Sequence, residues 1–321
     1  MKEVLDYIEQ NKKKLGFSNY DITFLNQGEY NINYLLTTDK GKFVLRINSK
    51  SQMNLPNQIM YEYSTLKFLE KSEVTPKVYF VDDTENKLLN GVILMEFLDG
   101  RPLIYEKDLE KAAKIFAKIH LLDVSKCNGF LVEKDILQDR INEANFWLKD
   151  VFKSDLIEKE QKKFFYDFLN YLEKNKGNSK YFENGNVFCL NNTEVNSQNF
   201  IIGEKSYLID WEKAVISDPC QDITHFLALT TTKWKTDYVA DKEYENKFFT
   251  EYERNLGRKI SIEQRVEIYK PYLYSRALSW CANAYLEYNK KDKLIKNEDT
   301  FLKIKEFINI DFMKNLMKEY F

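Results

Sequence analysis

The sequence predicts an α+β protein in two lobes. Three observations carry this reading. The first hundred residues are rich in short apolar strands, long helical periods begin near Asp99, and one cluster of short apolar runs between 187 and 209 interrupts them. Segment 98–101 then reads as the hinge between a lobe over 1–98 and a lobe over 99–321.

Taken in order, Val4, Leu5, Ile8 and Leu15 share one side of a helix within the first 16 residues. Ile22-Thr23-Phe24-Leu25 and Asn33-Tyr34-Leu35-Leu36-Thr37 read as strands. The turn Asp39-Lys40-Gly41-Lys42 joins the second of these to Phe43-Val44-Leu45-Arg46-Ile47 as a hairpin. A helix spans roughly 55–71 with Ile59, Tyr63 and Leu66 at helical spacing, and strands follow near 77–81 and 91–97. Beyond the hinge, helical periods cover 106–123, 134–150, 155–175, 262–290 and 298–320, with a further helix beginning near Pro219.

Composition excludes several classes. Lys and Arg number 48 against 50 Asp and Glu, so the chain lacks the net basic character of a nucleic-acid wrapper. Ten glycines and five prolines in 321 residues exclude collagen and long low-complexity linkers. The four cysteines stand far apart without a CxxC, and two histidines cannot build a His-rich metal centre. Apolar runs such as Val92-Ile93-Leu94-Met95 fall far short of the ~20 residues of a membrane span. The start, Met1 to Asp6, lacks the apolar run of a signal peptide. The expectation is a cytoplasmic protein with no membrane and no nucleic-acid partner.

Two sets of residues carry candidate chemistry. Arg46 sits in an otherwise apolar strand, and Glu62 shares a helix face with Ile59 and Leu66. An unpaired charge on a buried face is costly, so pairing of the two is the economical solution. The alternative is an outward Arg46 and a snorkelling Glu62. The second set is the polar loop Asn192 to Asn199, which runs on to Leu208-Ile209-Asp210-Trp211-Glu212. Here a carboxylate is followed five residues on by an amide, and eleven further on by a second carboxylate that ends an apolar strand. Mg²⁺ takes oxygen ligands, commonly one or two carboxylates plus substrate phosphates, so Asn199 and Asp210 suit that ion and Glu194 suits proton acceptance. Taken singly, each is an ordinary loop residue.

Several stretches occur in the order seen in the aminoglycoside phosphotransferase and choline kinase-like family, relatives of protein kinases, and the sequence resembles that family over most of its length. They are Gly28-Glu29-Tyr30-Asn31, Phe43 to Asn48, Ser51-Gln52-Met53, Gln58 to Glu62, Met95 to Gly100, Ile119-His120, the 192–202 loop, Leu208 to Glu212 with Ser217-Asp218-Pro219 and Asp222, and Arg276 to Cys281. The resemblance implies a bilobal protein-kinase-like fold, with a small β-rich N-lobe that binds nucleotide and a larger, mainly helical C-lobe. It implies a kinase that moves the γ-phosphoryl of ATP or GTP, with Mg²⁺, to a hydroxyl of a small-molecule acceptor. Gly28, Tyr30 and Asn31 would lie over the triphosphate, Arg46 would bind phosphate and pair with Glu62, and Glu96 to Leu98 would hold the adenine edge. Asn199 and Asp210 would hold the metal.

The departures lie in the catalytic loop. Where the family has His-Gly-Asp or His-Asn-Asp, this chain aligns Asn192 with the histidine and Glu194 with the aspartate. Arg46 stands at the usual lysine. In an alternative register Leu190-Asn191-Asn192 takes those positions and leaves no carboxylate there. The second functional reading is therefore a catalytically impaired pseudokinase, acting as a nucleotide-binding or scaffold protein. Trp280, Tyr285, Glu287 and Tyr288, with Glu143, Trp147 and Asp150, are candidates to receive a cationic acceptor, against the plainer reading of an aromatic core stripe. His120 and His225 read as packed core residues, Asp218 and Asp222 as caps or loop braces, and Cys189 as a small apolar residue.

Overall fold

The computed structural model describes residues 1–28, 30–48, 51, 53–84, 88, 91–125, 127–182, 187–290 and 297–321. These form two compact units, one of residues 1–131 with 192–216, the other of 132–191 with 217–321.

The first unit is built on a five-stranded sheet, β1 (Tyr20–Gln27), β2 (Asn31–Thr38), β3 (Gly41–Asn48), β4 (Val78–Asp82) and β5 (Gly91–Glu96), in the order β1-β2-β3-β5-β4. All its pairings are antiparallel. Strand side chains alternate between faces, which splits β3 and β5. Leu45, Ile47, Val92 and Leu94 join Val4, Tyr7, Ile8 and Leu15 of α1 (Lys2–Leu15) in one apolar cluster. The other parity, which holds Val44, Arg46 and Asn48, belongs to the opposite face, where α2 (Gln58–Leu69) packs.

Asn57 caps α2 by accepting from the Met60 amide at 3.0 Å. The helix comes very close to β5: a Cβ on Gly91 would lie 2.5 Å from Ile59 Cβ, so only glycine fits. After β5 the chain forms a bridge between Arg101 and Ile202. Gly100 lies there against Ile201 and Ile202 with no room for a Cβ. α3 (Tyr105–His120) buries its apolar stripe, and His120 is buried beside Phe116, as its place in that stripe predicts.

The second unit contains α4 (Ile136–Val151), α5 (Lys159–Asn175) and β6 (Cys189–Asn191). The chain re-enters the first unit for the hairpin of β7 (Phe200–Ile202) and β8 (Ser206–Leu208), and returns to the second within β9 (Val215–Ser217). Then follow α6 (Cys220–Leu227), α7 (Leu229–Lys235), α8 (Lys242–Leu256), α9 (Ile262–Asn289), α10 (Glu298–Phe307) and α11 (Ile310–Met317). The long α9 packs against α4, α6 and α10.

Two corrections to the sequence reading arise here. The period over 298–320 is two helices, because Asn309 turns out of the first and accepts from the Asp311 and Phe312 amides of the second. α7 and α8 have no counterpart in the periods read from sequence. Among the described residues no helix is long and apolar enough to cross a membrane.

Candidate active site

The nucleotide, metal and proton-acceptor candidates predicted from sequence belong to the first unit, and two of them, Glu62 and Asp210, meet Arg46. β3 pairs Arg46 with Asn33 on one side and Ile93 on the other. Its guanidinium forks three ways: to the Glu62 carboxylate, to Asp210 Oδ1 at 2.9 Å, and through Nε to Asn33 Oδ1 at 3.2 Å. The predicted pair is present, and Arg46 is buried rather than outward.

The electrostatics follow from one cation among three acids. Burial opposes the charge of Arg46, but Glu62, Asp210 and Glu212 together hold its guanidinium above the usual arginine range. Glu62 is 1% exposed, and its Oε2 has no hydrogen-bond partner. Burial pushes its carboxyl up to about 7, with Arg46 opposing and Asp210 and Glu212 adding to the rise. Glu212 is raised by burial and by Asp210.

Asp210 holds its backbone at φ +67°, a left-handed conformation that is uncommon outside glycine. Asn192 braces this turn by donating Nδ2 to the carbonyls of Asp210 at 2.7 Å and Ile209 at 3.3 Å. Trp211, fully buried, donates Nε1 to the Leu208 carbonyl at 3.0 Å and anchors the other side. An uncharged amide thus ties the segment that begins at Asn192 to the turn carrying Asp210.

The Glu194 peptide is equally fixed. Its amide donates to Asn192 Oδ1 at 3.1 Å, and its carbonyl accepts from Asn199 Nδ2 at 2.9 Å. That bond uses the nitrogen of the Asn199 amide and leaves Oδ1 as the atom available to a ligand. Thr193, also left-handed at φ +68°, donates its hydroxyl to the Lys213 carbonyl at 3.1 Å. The Glu194 carboxylate is ion-paired with Lys213, a contact that sequence reasoning missed.

The remaining candidates fall as follows. Gly28 donates its amide to the Asn31 carbonyl at 2.9 Å, closing the β1–β2 turn, and Tyr30 is half-buried there. Asn31 is buried and donates to Glu212 at 2.6 Å while accepting from Asn48 at 2.9 Å. Gln58 donates to the Glu212 carbonyl at 2.7 Å, so the turn, α2 and the Asp210 segment are tied together through one residue. Glu96 ends β5, its amide donating to the Lys77 carbonyl at 2.8 Å, and Leu98 lies half-buried just beyond the strand. Glu29 and Gln52 lie outside the described residues. Among the described residues no three His, Cys, Asp or Glu side chains converge as a self-sufficient metal site. The oxygens of Asn199 and Asp210 suit a hard cation that shares its shell with phosphates and water.

The acceptor candidates sit in the second unit. Trp280 packs edge-on against Trp234 at 5.8 Å, and Tyr285 and Tyr288 stack on Phe301 at 5.9 and 5.2 Å. Glu287 pairs with Lys290 at 2.6 Å, and Glu143 lies 3.2 Å from both Arg140 and Arg276. Asp150 faces Lys153 at 3.6 Å, and Trp147 Nε1 is buried without a hydrogen bond. Asp218 is bound by Arg265 and accepts from the Cys220 amide at 3.0 Å at the start of α6, the bracing role expected of it.

The model of the phosphotransferase enzyme family matches residues 21–254. This chain belongs to that family. Its fold is that of solved family members and kinases. A Ralstonia eutropha protein provisionally named an aminoglycoside phosphotransferase is 14% identical with a TM-score of 0.71, and the match covers 99% of this chain and 98% of that one. A spectinomycin phosphotransferase solved with ADP and spectinomycin is 12% identical with a TM-score of 0.62, over 97% of this chain and 98% of that one. The choline kinase of Cryptosporidium parvum is 15% identical with a TM-score of 0.60, over 98% and 96%. No curated protein matches the chain. The phosphotransferase fold predicted from the sequence, a small β-rich lobe followed by a mainly helical one, is the fold observed.

Proposed function

We propose that this phosphotransferase is a cytoplasmic kinase that transfers the γ-phosphoryl group of ATP or GTP to a hydroxyl of a small molecule. The observation that carries the proposal is the fork of Arg46 between Glu62 and Asp210. Such a group is suited to neutralise phosphate oxygens, and Arg binds them well. The family membership supports the reaction class. Structural relatives named for spectinomycin, choline and ethanolamine suggest small amino-bearing acceptors.

In this reading residues 1–98 form the nucleotide-binding lobe, and 99–321 supply the catalytic loop and the acceptor site. Gly28, Tyr30 and Asn31 border the triphosphate, while backbone groups of Glu96 and Leu98 take the adenine edge. Asn199 and Asp210 would hold Mg²⁺, which would supply positive charge to offset that of the nucleotide phosphates. Arg46, oriented by Glu62, moves its Asp210-facing nitrogen to the phosphates. The acceptor oxygen bonds to the γ-phosphorus as the bond to the β-phosphate oxygen breaks. The hydroxyl proton passes to Glu194. Asn192 keeps the loop and the Asp210 turn in register. Phosphoryl transfer depends chiefly on positioning and charge, so a glutamate held in place serves where an aspartate would.

The test is nucleoside diphosphate release with ATP and GTP against a panel containing choline, ethanolamine and spectinomycin, for wild type and Glu194→Ala. Turnover that falls about 10²–10⁴-fold in the variant is the expected result. Nucleotide binding with equal background rates for both proteins would instead give the non-catalytic, scaffold reading.

A further inference from the structure

Lys213 is the site feature that the sequence pattern did not reveal. Its side chain is 9% exposed, and an ammonium so enclosed is costly unless paired. Among the described residues its ion-pair partner is Glu194, through Oε1. The tie runs both ways, since the Lys213 carbonyl accepts from the hydroxyl of Thr193, the residue just before Glu194. Glu194 itself is 37% exposed along its side chain, and no hydrogen bond reaches its Oε2 among the described residues.

A glutamate has one more rotatable bond than an aspartate, and a base that wanders is a poor base. The pair removes that freedom. One oxygen is held by a lysine whose ion-pair partner among the described residues is that carboxylate. The second oxygen stays open.

We propose that Lys213 is the positioning residue for Glu194, fixing Oε1 so that Oε2 is the atom that receives the acceptor proton. The inference rests on the proposed base role of Glu194 and deepens it. In the step, the acceptor O–H breaks as its oxygen bonds to the γ-phosphorus, the bridging P–O bond breaks toward the leaving diphosphate, and the proton ends on Oε2. Lys213 holds Oε1 throughout and takes no part in the transfer.

The experiment uses the full chain with ATP, Mg²⁺ and whichever panel acceptor supports turnover. Lys213→Met should lower kcat about 10²-fold, the scale of a misplaced catalytic group, with the ATP KM within about twofold of wild type. Lys213→Arg should restore kcat to within about tenfold by supplying the same charge to Oε1. In the Glu194→Ala background, Lys213→Met should change nothing further, because the group it positions is gone. Three results would overturn the inference: wild-type kcat in Lys213→Met, failure of arginine to rescue, or a loss shared equally by kcat and ATP affinity together with a large fall in Tm, which marks a merely structural residue. Lys213→Gln provides the same comparison if the methionine variant does not fold. An active Glu194→Ala refutes the base itself, and a silent Lys213→Met beside an inactive Glu194→Ala refutes only the positioning role, so the two failures are told apart.

Discussion

At the scale of single residues, the site works by making side chains hold one another where the backbone would not go unaided. Asp210 sits at φ +67°, a conformation that costs on the order of 1–3 kcal/mol in such settings. Asn192 stabilises it through two carbonyls. Asn192→Leu should lower stability by about 1–3 kcal/mol, the cost of leaving buried acceptors unmet, and should weaken Mg·ATP binding more than ATP binding; denaturant melts and titrations with and without magnesium check this. Glu62 gives a pH signature. Its folded carboxyl titrates at about 7, above the unfolded value, so between the two the folded state binds more protons. Stability contributed by this group is therefore largest below pH 4.5 and declines as pH rises through 7. Glu62→Gln should flatten that decline in Tm measured from pH 5 to 8. Both residues were visible in the sequence, Glu62 by its spacing from Ile59 and Leu66, Asn192 through the family resemblance that aligns it with the catalytic-loop histidine. Lys213 was not, because its contact depends on left-handed turns at Thr193 and Asp210 that have no period to read.

At the scale of elements, the position of α2 decides where Glu62 stands, and Gly91 sets that position. Gly91→Val would place its Cβ 2.5 Å from Ile59 Cβ and must push the helix away. Overpacking of this kind costs about 1–3 kcal/mol, and it should also lower ATP affinity by shifting Glu62 off Arg46. Adding Ile59→Gly, which removes that opposing Cβ, should return part of the lost ATP affinity, measured by ATP titration. The sheet was legible because its strands are short apolar runs and turn residues such as Asp39-Lys40-Gly41 separate two of them. The helices after Pro219 were less so. α8, Lys242–Leu256, carries charges through the window that holds its buried Phe248, Phe249 and Tyr252, which blurs the period. Asn309 is a single polar residue in a continuous apolar rhythm, yet its two capping bonds end one helix and start another.

At the scale of the whole molecule, two predictions concern stability and ligand. Asp218 is fully buried, and burial raises its carboxyl while Arg265 opposes. Arg265→Ala leaves that acid without its cation, and a broken buried pair typically costs about 3–5 kcal/mol; the Tm should fall at neutral pH and recover in part on acidification, as the raised carboxyl becomes neutral. Saturation with Mg·ATP at 100-fold over its Kd should stabilise the chain by about 2.7 kcal/mol. Asp210→Ala should abolish the magnesium-dependent part of that shift, read by differential scanning. The order of the chain has a temporal consequence too. The first unit is closed by residues 192–216, which are made only after the segment 132–191 that belongs elsewhere. At roughly 5–20 residues per second, a ribosome needs several seconds between finishing Leu131 and releasing Ile216. During that interval the nascent sheet and α3 wait with Ile202, Leu208 and Trp211 still missing, a window in which a chaperone could hold them.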